Sequence, residues 1–360
     1  MNARWVPVLL GIICTILLLA ALYFADAIIA PVACALFIIA IAWPFQKRLQ
    51  TRLPQLVALA IVVTLVVLVF VVFASVVAWG FGRIGRSLIA ETPRLQALYE
   101  QATSWLETHG IAVAGLWAEH FNMRWVVGAM QGLSARLNTM ISFWVVVLIY
   151  VLLGLLEVGP LARKIPRIFS SEAARVLIVG GERTAAKLRR YLMIRTIMSV
   201  ATGGLVYVFA MALGLQLATE WGVIAFTLNF IPFVGPFIAT LLPTFYALAQ
   251  FESLYSALVV FGCLNLIQFA IGSYVEPRVA GKALSLSPFL VLFSVFLWMF
   301  LWGLFGAFIG VPITIAAITF CAQSPSTKWL SDMMGAPDNG EVKDPSAVQA
   351  GAGNVDALRR

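Results

Sequence analysis

The residues of this chain best suited to do chemistry are few, and they lie in its C-terminal half. Asn229 stands three residues before Pro232 in the run NFIPFVGP, which also carries Gly235 and Pro236. Gly303, Gly306, Gly310 and Pro312 punctuate a second apolar run, FLVLFSVFLWMFLWGLFGAFIGVPITIAAITF. Between the two, Asn265 and Gln268 sit one helical turn apart, and the motif EPRVAG places Glu276, Pro277, Arg278 and Gly281 in sequence. A proline removes an amide donor and clashes with the preceding turn. In hydrocarbon such a break strands amides and carbonyls at several kcal/mol each, so it survives only where protein or water satisfies them. Half-helix ends at such breaks face transported solutes. The chemistry these residues offer is recognition and passage of a small solute.

Plainer readings stand beside these. Either broken run could be a long span kinked at proline, although two breaks in one half of the chain, one beside Asn229, favour a translocation pathway. Asn265 and Gln268 suit interhelical hydrogen bonds as well as a polar pathway. Glu276 and Arg278 are either a surface ion pair of small worth or charges that gate or couple transport.

Bond-making chemistry has little to work with. The sequence contains no H-E-x-x-H, no G-x-S-x-G and no G-x-x-x-x-G-K-[ST] motif. No catalytic residue, cofactor or ATP hydrolysis is therefore expected. Cys14, Cys34, Cys263 and Cys321 lie in or beside apolar stretches, and His109 and His120 are too few for a metal cluster. Ion–proton exchange needs a carboxylate that titrates within the membrane. Asp26, Glu157, Glu220, Glu252 and Glu276 all fall at the edges of apolar runs. Glu276, or Glu157 if its helix is shifted inward, is the best carrier.

The elements that must position these residues follow from composition. Of 360 residues, 62% are hydrophobic and 11% charged, whereas a soluble domain carries about a quarter charged. The mean hydropathy is +0.97. The natural solvent is a lipid bilayer, crossed by about 20 apolar residues per helix. The net charge of +8 is concentrated in two loops and the tail, which fits the positive-inside rule better than nucleic-acid binding.

Residues 1–82 hold three spans, near 5–24, 28–45 and 56–81. The first is read as retained rather than cleaved. Residues 83–139 mix charges with recurring apolar positions and are expected to form extracytoplasmic amphipathic helices. A fourth span covers 140–158. Residues 159–193 follow as a basic amphipathic helix: nine cations between Pro160 and Arg195 face only Glu172 and Glu182. The transport core, 194–322, opens with a span near 194–215 and contains the broken segments 221–250 and 289–320. The tail, 323–360, is expected to be disordered and cytoplasmic.

Lys47, Arg48 and Arg52 belong on the same side as the 159–193 segment, which puts both termini in the cytoplasm. Each broken run is too long for one upright helix and short for two, so each is either a single crossing or a re-entrant hairpin, and charge bias favours hairpins. The expected fold is an all-α, polytopic integral membrane protein of about 6–8 membrane segments, two of them Pro/Gly-broken.

The three stretches NFIPFVGPFIATLLP, EPRVAGKALSLSP and GLFGAFIGVP, with the order of spans and the basic segment, resemble the autoinducer-2 exporter (AI-2E) transporter family over roughly residues 5–325. That resemblance implies a bacterial inner-membrane protein that forms homo-oligomers. It implies export of a small signalling molecule or, in some members, sodium–proton antiport. It carries over Pro232, Gly235, Pro236, Glu276, Pro277, Gly281, Gly306, Gly310 and Pro312 as family positions. The leading expectation is a secondary transporter or facilitator for a small polar metabolite. Cation–proton antiport and a non-transporting membrane scaffold are the alternatives.

Overall fold

The computed structural model describes residues 5–91, 123–280 and 286–334, with isolated positions between 94 and 108. Their regular elements are helices: α1 (Trp5–Phe24), α2 (Asp26–Leu49), α3 (Gln55–Ala90), α4 (Met123–Ile168), α5 (Ser171–Ala212), α6 (Ala218–Leu228), α7 (Val234–Phe251), α8 (Leu254–Ala270), α9 (Glu276–Ala280), α10 (Pro288–Cys321) and α11 (Lys328–Met334). Seven stretches are long and apolar enough to cross a bilayer, and Leu9–Phe24 adds a shorter apolar helix. Large apolar side chains such as Leu17, Leu68, Val208 and Phe300 stand exposed along the bundle, as expected where lipid is the solvent.

Composition changes at residues 82, 139, 158 and 193, but the helices run on. Residues 83–90 are the end of α3, and 123–139 are the start of α4. Apart from residue 91 and isolated positions between 94 and 108, the intervening part of the expected extracytoplasmic region lies outside the described residues. The basic segment and the span after it form one 42-residue helix, α5, about 63 Å long at 1.5 Å per residue. A switch from charged to apolar side chains leaves the backbone hydrogen bonds unchanged, so a bilayer boundary need not be a helix boundary. Ser170 starts α5 by accepting the Ala173 amide at 3.3 Å, and Gly214, at φ +72, ends it. In the tail, residues 328–334 form a short helix, and residues 335–360 are outside the described residues.

α5 is the spine. Its buried stripe includes Leu188, Tyr191, Ile194, Met198 and Val206, at the three- and four-residue spacing of one helix face. A first core gathers α2, α3, α4 and α10 around Phe37, Val62, Val147, Val151, Ile309 and Val311. A second joins the far half of α5 to α6 and α7 through Trp221, Ile224, Ala225 and Tyr246. α2 and α5 are antiparallel. The pairing is fixed by Arg189 of α5, whose Nη1 donates to the Ala40 carbonyl at 2.9 Å. That carbonyl lacks its helical donor because residue 44, four positions on, is proline.

Candidate functional site

Both broken segments are helical hairpins. In the first, α6 and α7 fold back on each other about a turn at residues 229–233. The rings of Trp221 on α6 and Tyr246 on α7 stand 5.5 Å apart. At the open end Gln250 Nε2 donates to the Gly214 carbonyl at 2.9 Å, and the Gln216 amide donates to Gln250 Oε1 at 2.8 Å. The tip is tight. The Val234 amide bonds the Pro232 carbonyl at 2.7 Å, closing a γ-turn with Phe233 at φ 63 and ψ −54. That conformation is rare and strained for a side chain of this size. Gly235 packs onto the Leu228 carbonyl so closely that a β-carbon there would collide with it.

The second hairpin lies within α10. Trp302 (φ −129) and Gly303 (φ 65, ψ −149) leave helical geometry and reverse the chain. Ser294 Oγ, on the first arm, donates to the Gly310 carbonyl at 3.0 Å and contacts the Thr314 hydroxyl on the second. Gly306 does for this hairpin what Gly235 does for the first: a β-carbon would strike the Trp298 carbonyl. The break therefore falls at Gly303. Gly306, Gly310 and Pro312, expected to interrupt the helix, are instead buried positions of the returning arm. Gly306 and Gly310 let the arms approach. Pro236 likewise breaks nothing, since it sits in the first turn of α7, where its missing amide has no helical partner to lose.

The hairpins lie along α5 from opposite ends. The first opens beside Gly214, at the C-terminal end of α5, and its tip reaches back to Ser199. The second opens near the N-terminal half, where Arg183 Nη1 donates to Gln323 Oε1 at 3.0 Å. Its tip lies by the α1–α2 junction, where Trp302 Nε1 donates to the Leu22 carbonyl at 3.0 Å. The hairpins meet between these ends. Phe230 and Phe308 have ring centroids 6.1 Å apart. Phe73 of α3 stands 6.0 Å from Phe230 and 6.3 Å from Phe226, so aromatic edges and faces surround the junction.

Asn229 is buried at the first tip, and its Nδ2 donates to Ser199 Oγ at 3.3 Å. Thr202, one turn along α5, is also fully buried, and its hydroxyl lacks a protein partner. Pro232 is buried in the same turn. A small, uncharged polar patch thus lies in an apolar bundle. Such groups are costly to bury unless something satisfies them. Ser199, Thr202, Phe226, Ser294 and Thr314 carry no motif signal, and Phe230 and Phe308 lie in the quoted family stretches without being singled out there. Only their placement on the faces that meet the hairpins marks them.

The remaining predicted positions lie elsewhere. Asn265 is exposed on α8 and donates to the Phe261 carbonyl of its own helix at 2.8 Å, and Gln268 is half-buried on the same helix. Glu276 does not pair with Arg278. It accepts from Arg195 of α5 at 3.2 Å, and Arg278 lies over the Tyr274 ring at 5.9 Å. Residues 271–275 just before Glu276 form one turn of π-helix, an irregularity frequent at functional sites. Pro277 lies in α9, and Gly281 is outside the described residues.

The sequence also hides a buried carboxylate. Glu220, in the first turn of α6, is 2% exposed and pairs with Arg83 of α3 at 2.7 Å. Beside it, Ser87 Oγ and Tyr246 Oη stand 3.0 Å apart, and Tyr246 donates to Gln216 Oε1 at 3.2 Å. α3 is thereby tied to the open end of the first hairpin. Among the described residues, no group of three or more His, Cys, Asp or Glu side chains is placed to hold a metal.

Opposed helical hairpins within a polytopic bundle of apolar helices describe a membrane transporter of the kind that handles small solutes. The chain belongs to the AI-2E family of transporters, whose family model matches residues 12–325. It is 28% identical to the AI-2 transport protein TqsA of Escherichia coli over 317 residues, covering 88% of this chain and 91% of that one. It is 26% identical to a putative transport protein of Haemophilus influenzae over 337 residues, 91% and 95% of the two chains. A putative transport protein of Borreliella burgdorferi is 33% identical over 172 residues, 48% of this chain and 47% of that one. The protein is a multi-pass bacterial membrane protein.

Proposed function

We propose that this protein exports, or facilitates the passage of, a small uncharged polar metabolite or signalling molecule of the autoinducer-2 kind, and that the solute meets Asn229, Ser199 and Thr202 at the tip of the first hairpin. The observation that carries the reading is the buried Asn229–Ser199 contact at the end of a hairpin met by a second hairpin from the opposite end of the bundle. Hydroxyl and amide groups without a formal charge suit a hydroxylated neutral solute better than an ion. The name of the E. coli relative points to the same solute class. Pro232 and Gly235 hold the turn, and Gly306 and Gly310 hold the partner hairpin. The chemistry is binding and release, with no enzymatic step.

The basic ends of α2 and α5 lie together, since Ala40 meets Arg189. This supports a cytoplasmic location for that end of the bundle, and for both termini in an inner membrane. Assembly into homo-oligomers is part of the same reading.

The test is flux in proteoliposomes containing the purified chain. Asn229→Ala and Ser199→Ala should each lower flux of a labelled autoinducer-2-type solute by about tenfold, the effect of losing one buried polar contact, with normal folding. Flux equal to wild type in both variants would overturn the site.

The part-buried Arg195–Glu276 pair beside the π-turn favours one second reading, cation–proton exchange with Glu276 as carrier. A Glu276→Gln protein that still exchanges sodium for protons would eliminate it.

A further inference from the structure

A groove of about 410 Å³ runs between α2 and α5, lined by Ile41, Arg189, Leu192, Met193, Thr196 and Ile197. Its chemistry divides along its length. Leu192, Met193, Ile197 and Ile41 make an apolar wall, and the Thr196 hydroxyl is spent on the Leu192 carbonyl of its own helix at 2.8 Å. Arg189 is the one cation in the lining. It is anchored, because Nη1 donates to the Ala40 carbonyl that Pro44 leaves free, and a guanidinium so held keeps further donors for an anion. Among the described residues, no carboxylate stands within ion-pair distance of Arg189.

The surroundings fix the depth of this groove. On one side are Lys47 and Arg48 in the last turn of α2, with Lys187 on the turn of α5 before the groove. On the other side α5 turns apolar and exposed, with Met193 66%, Ile197 43% and Val200 59% accessible. The groove straddles the level where the bundle surface changes from basic to apolar. In a bilayer that level is the boundary between headgroups and acyl chains.

We propose that this groove binds an anionic phospholipid, with the phosphate on Arg189 and an acyl chain against Leu192, Met193 and Ile197. A guanidinium matches a phosphate through paired N–H donors, and the apolar wall beside it suits a hydrocarbon tail but not a soluble anion. A second copy of the chain would bring its own excess of cations to this level, whereas the bilayer supplies the missing negative charge. The assignment is independent of which solute the protein moves.

Native mass spectrometry of the full-length protein, released from detergent after incubation with phosphatidylglycerol or phosphatidylcholine, tests it. The wild type should retain one phosphatidylglycerol in preference to phosphatidylcholine. Arg189→Ala should lower that preference about fivefold, the contribution of one cation at a membrane surface, and Arg189→Lys should keep most of it. Ile197→Trp, at a half-exposed position, should fill the groove and lower retention with every charge in place. This variant carries the test alone if Arg189→Ala fails to fold. Undiminished phosphatidylglycerol retention in Ile197→Trp would overturn the proposal. So would displacement of the lipid by soluble glycerol phosphate at equal concentration, or a changed oligomeric state in Ile197→Trp with lipid retention intact, which would assign the groove to a second copy.

Discussion

Gly235 rests its α-carbon on the carbonyl of Leu228, across the turn that closes the first hairpin. Gly306 stands in the same relation to the Trp298 carbonyl in the second. Each hairpin is pinned by a position that admits no β-carbon. Gly235→Ala and Gly306→Ala should therefore destabilise the protein by about 1–3 kcal/mol, the usual range for overpacking. Gly262→Ala, with open space around it, should be neutral. Thermal unfolding of the purified variants in detergent checks this, and a neutral Gly235→Ala would contradict the geometry.

Arg83 and Glu220 join α3 to the base of the first hairpin. Removing the arginine leaves a buried carboxylate without its partner. Arg83→Ala should destabilise by about 2 kcal/mol, below the roughly 3–5 kcal/mol of a fully buried pair because Arg83 is half-exposed. Glu220→Gln in the Arg83→Ala background should recover most of that loss, since it removes the orphaned charge. A double-mutant cycle on unfolding midpoints measures the coupling.

Phe233 occupies a left-handed turn that a bulky residue seldom adopts. Phe233→Gly should release strain and raise stability by about 1 kcal/mol. The ring is half-exposed, so little packing is lost with it. A midpoint below wild type would show that the turn is not strained.

Pro44 and Arg189 act together through the Ala40 carbonyl. Arg189→Ala should destabilise by about 1.5 kcal/mol, typical for a hydrogen bond to a charged donor. In a Pro44→Ala background the helix supplies its own donor, and the same substitution should then matter less. Equal effects in both backgrounds would break the link.

Much of this architecture is legible in the sequence because hydrocarbon imposes strict rules. The apolar runs near 28–45 and 56–81, and the two broken ones, announce themselves by length and by their prolines and glycines. The hairpin course, favoured by charge, is the observed one. The location of the second turn is not legible. Glycine serves positive φ at Gly303 and close approach at Gly306 and Gly310, and composition cannot separate the two uses. Ser199 and Thr202 are equally hidden, since a hydroxyl within a span looks the same whether it bonds its own helix or faces a neighbour. Glu220 sits at the edge of an apolar run, and its burial depends on Arg83, far away in the chain. Asn229 was legible because it stands beside the break.

The contact between Phe230 and Phe308 also constrains biosynthesis. The first hairpin emerges from the ribosome long before its aromatic neighbour on the second. Until the last third of the chain has been threaded into the membrane, one flank of that tip stays uncovered, and α6, at 11 residues, is too short to span on its own. Maturation of the bundle must therefore finish from its C-terminal side. A nascent chain stalled ahead of residue 288 would hold an unfinished hairpin, a ready target for membrane quality control.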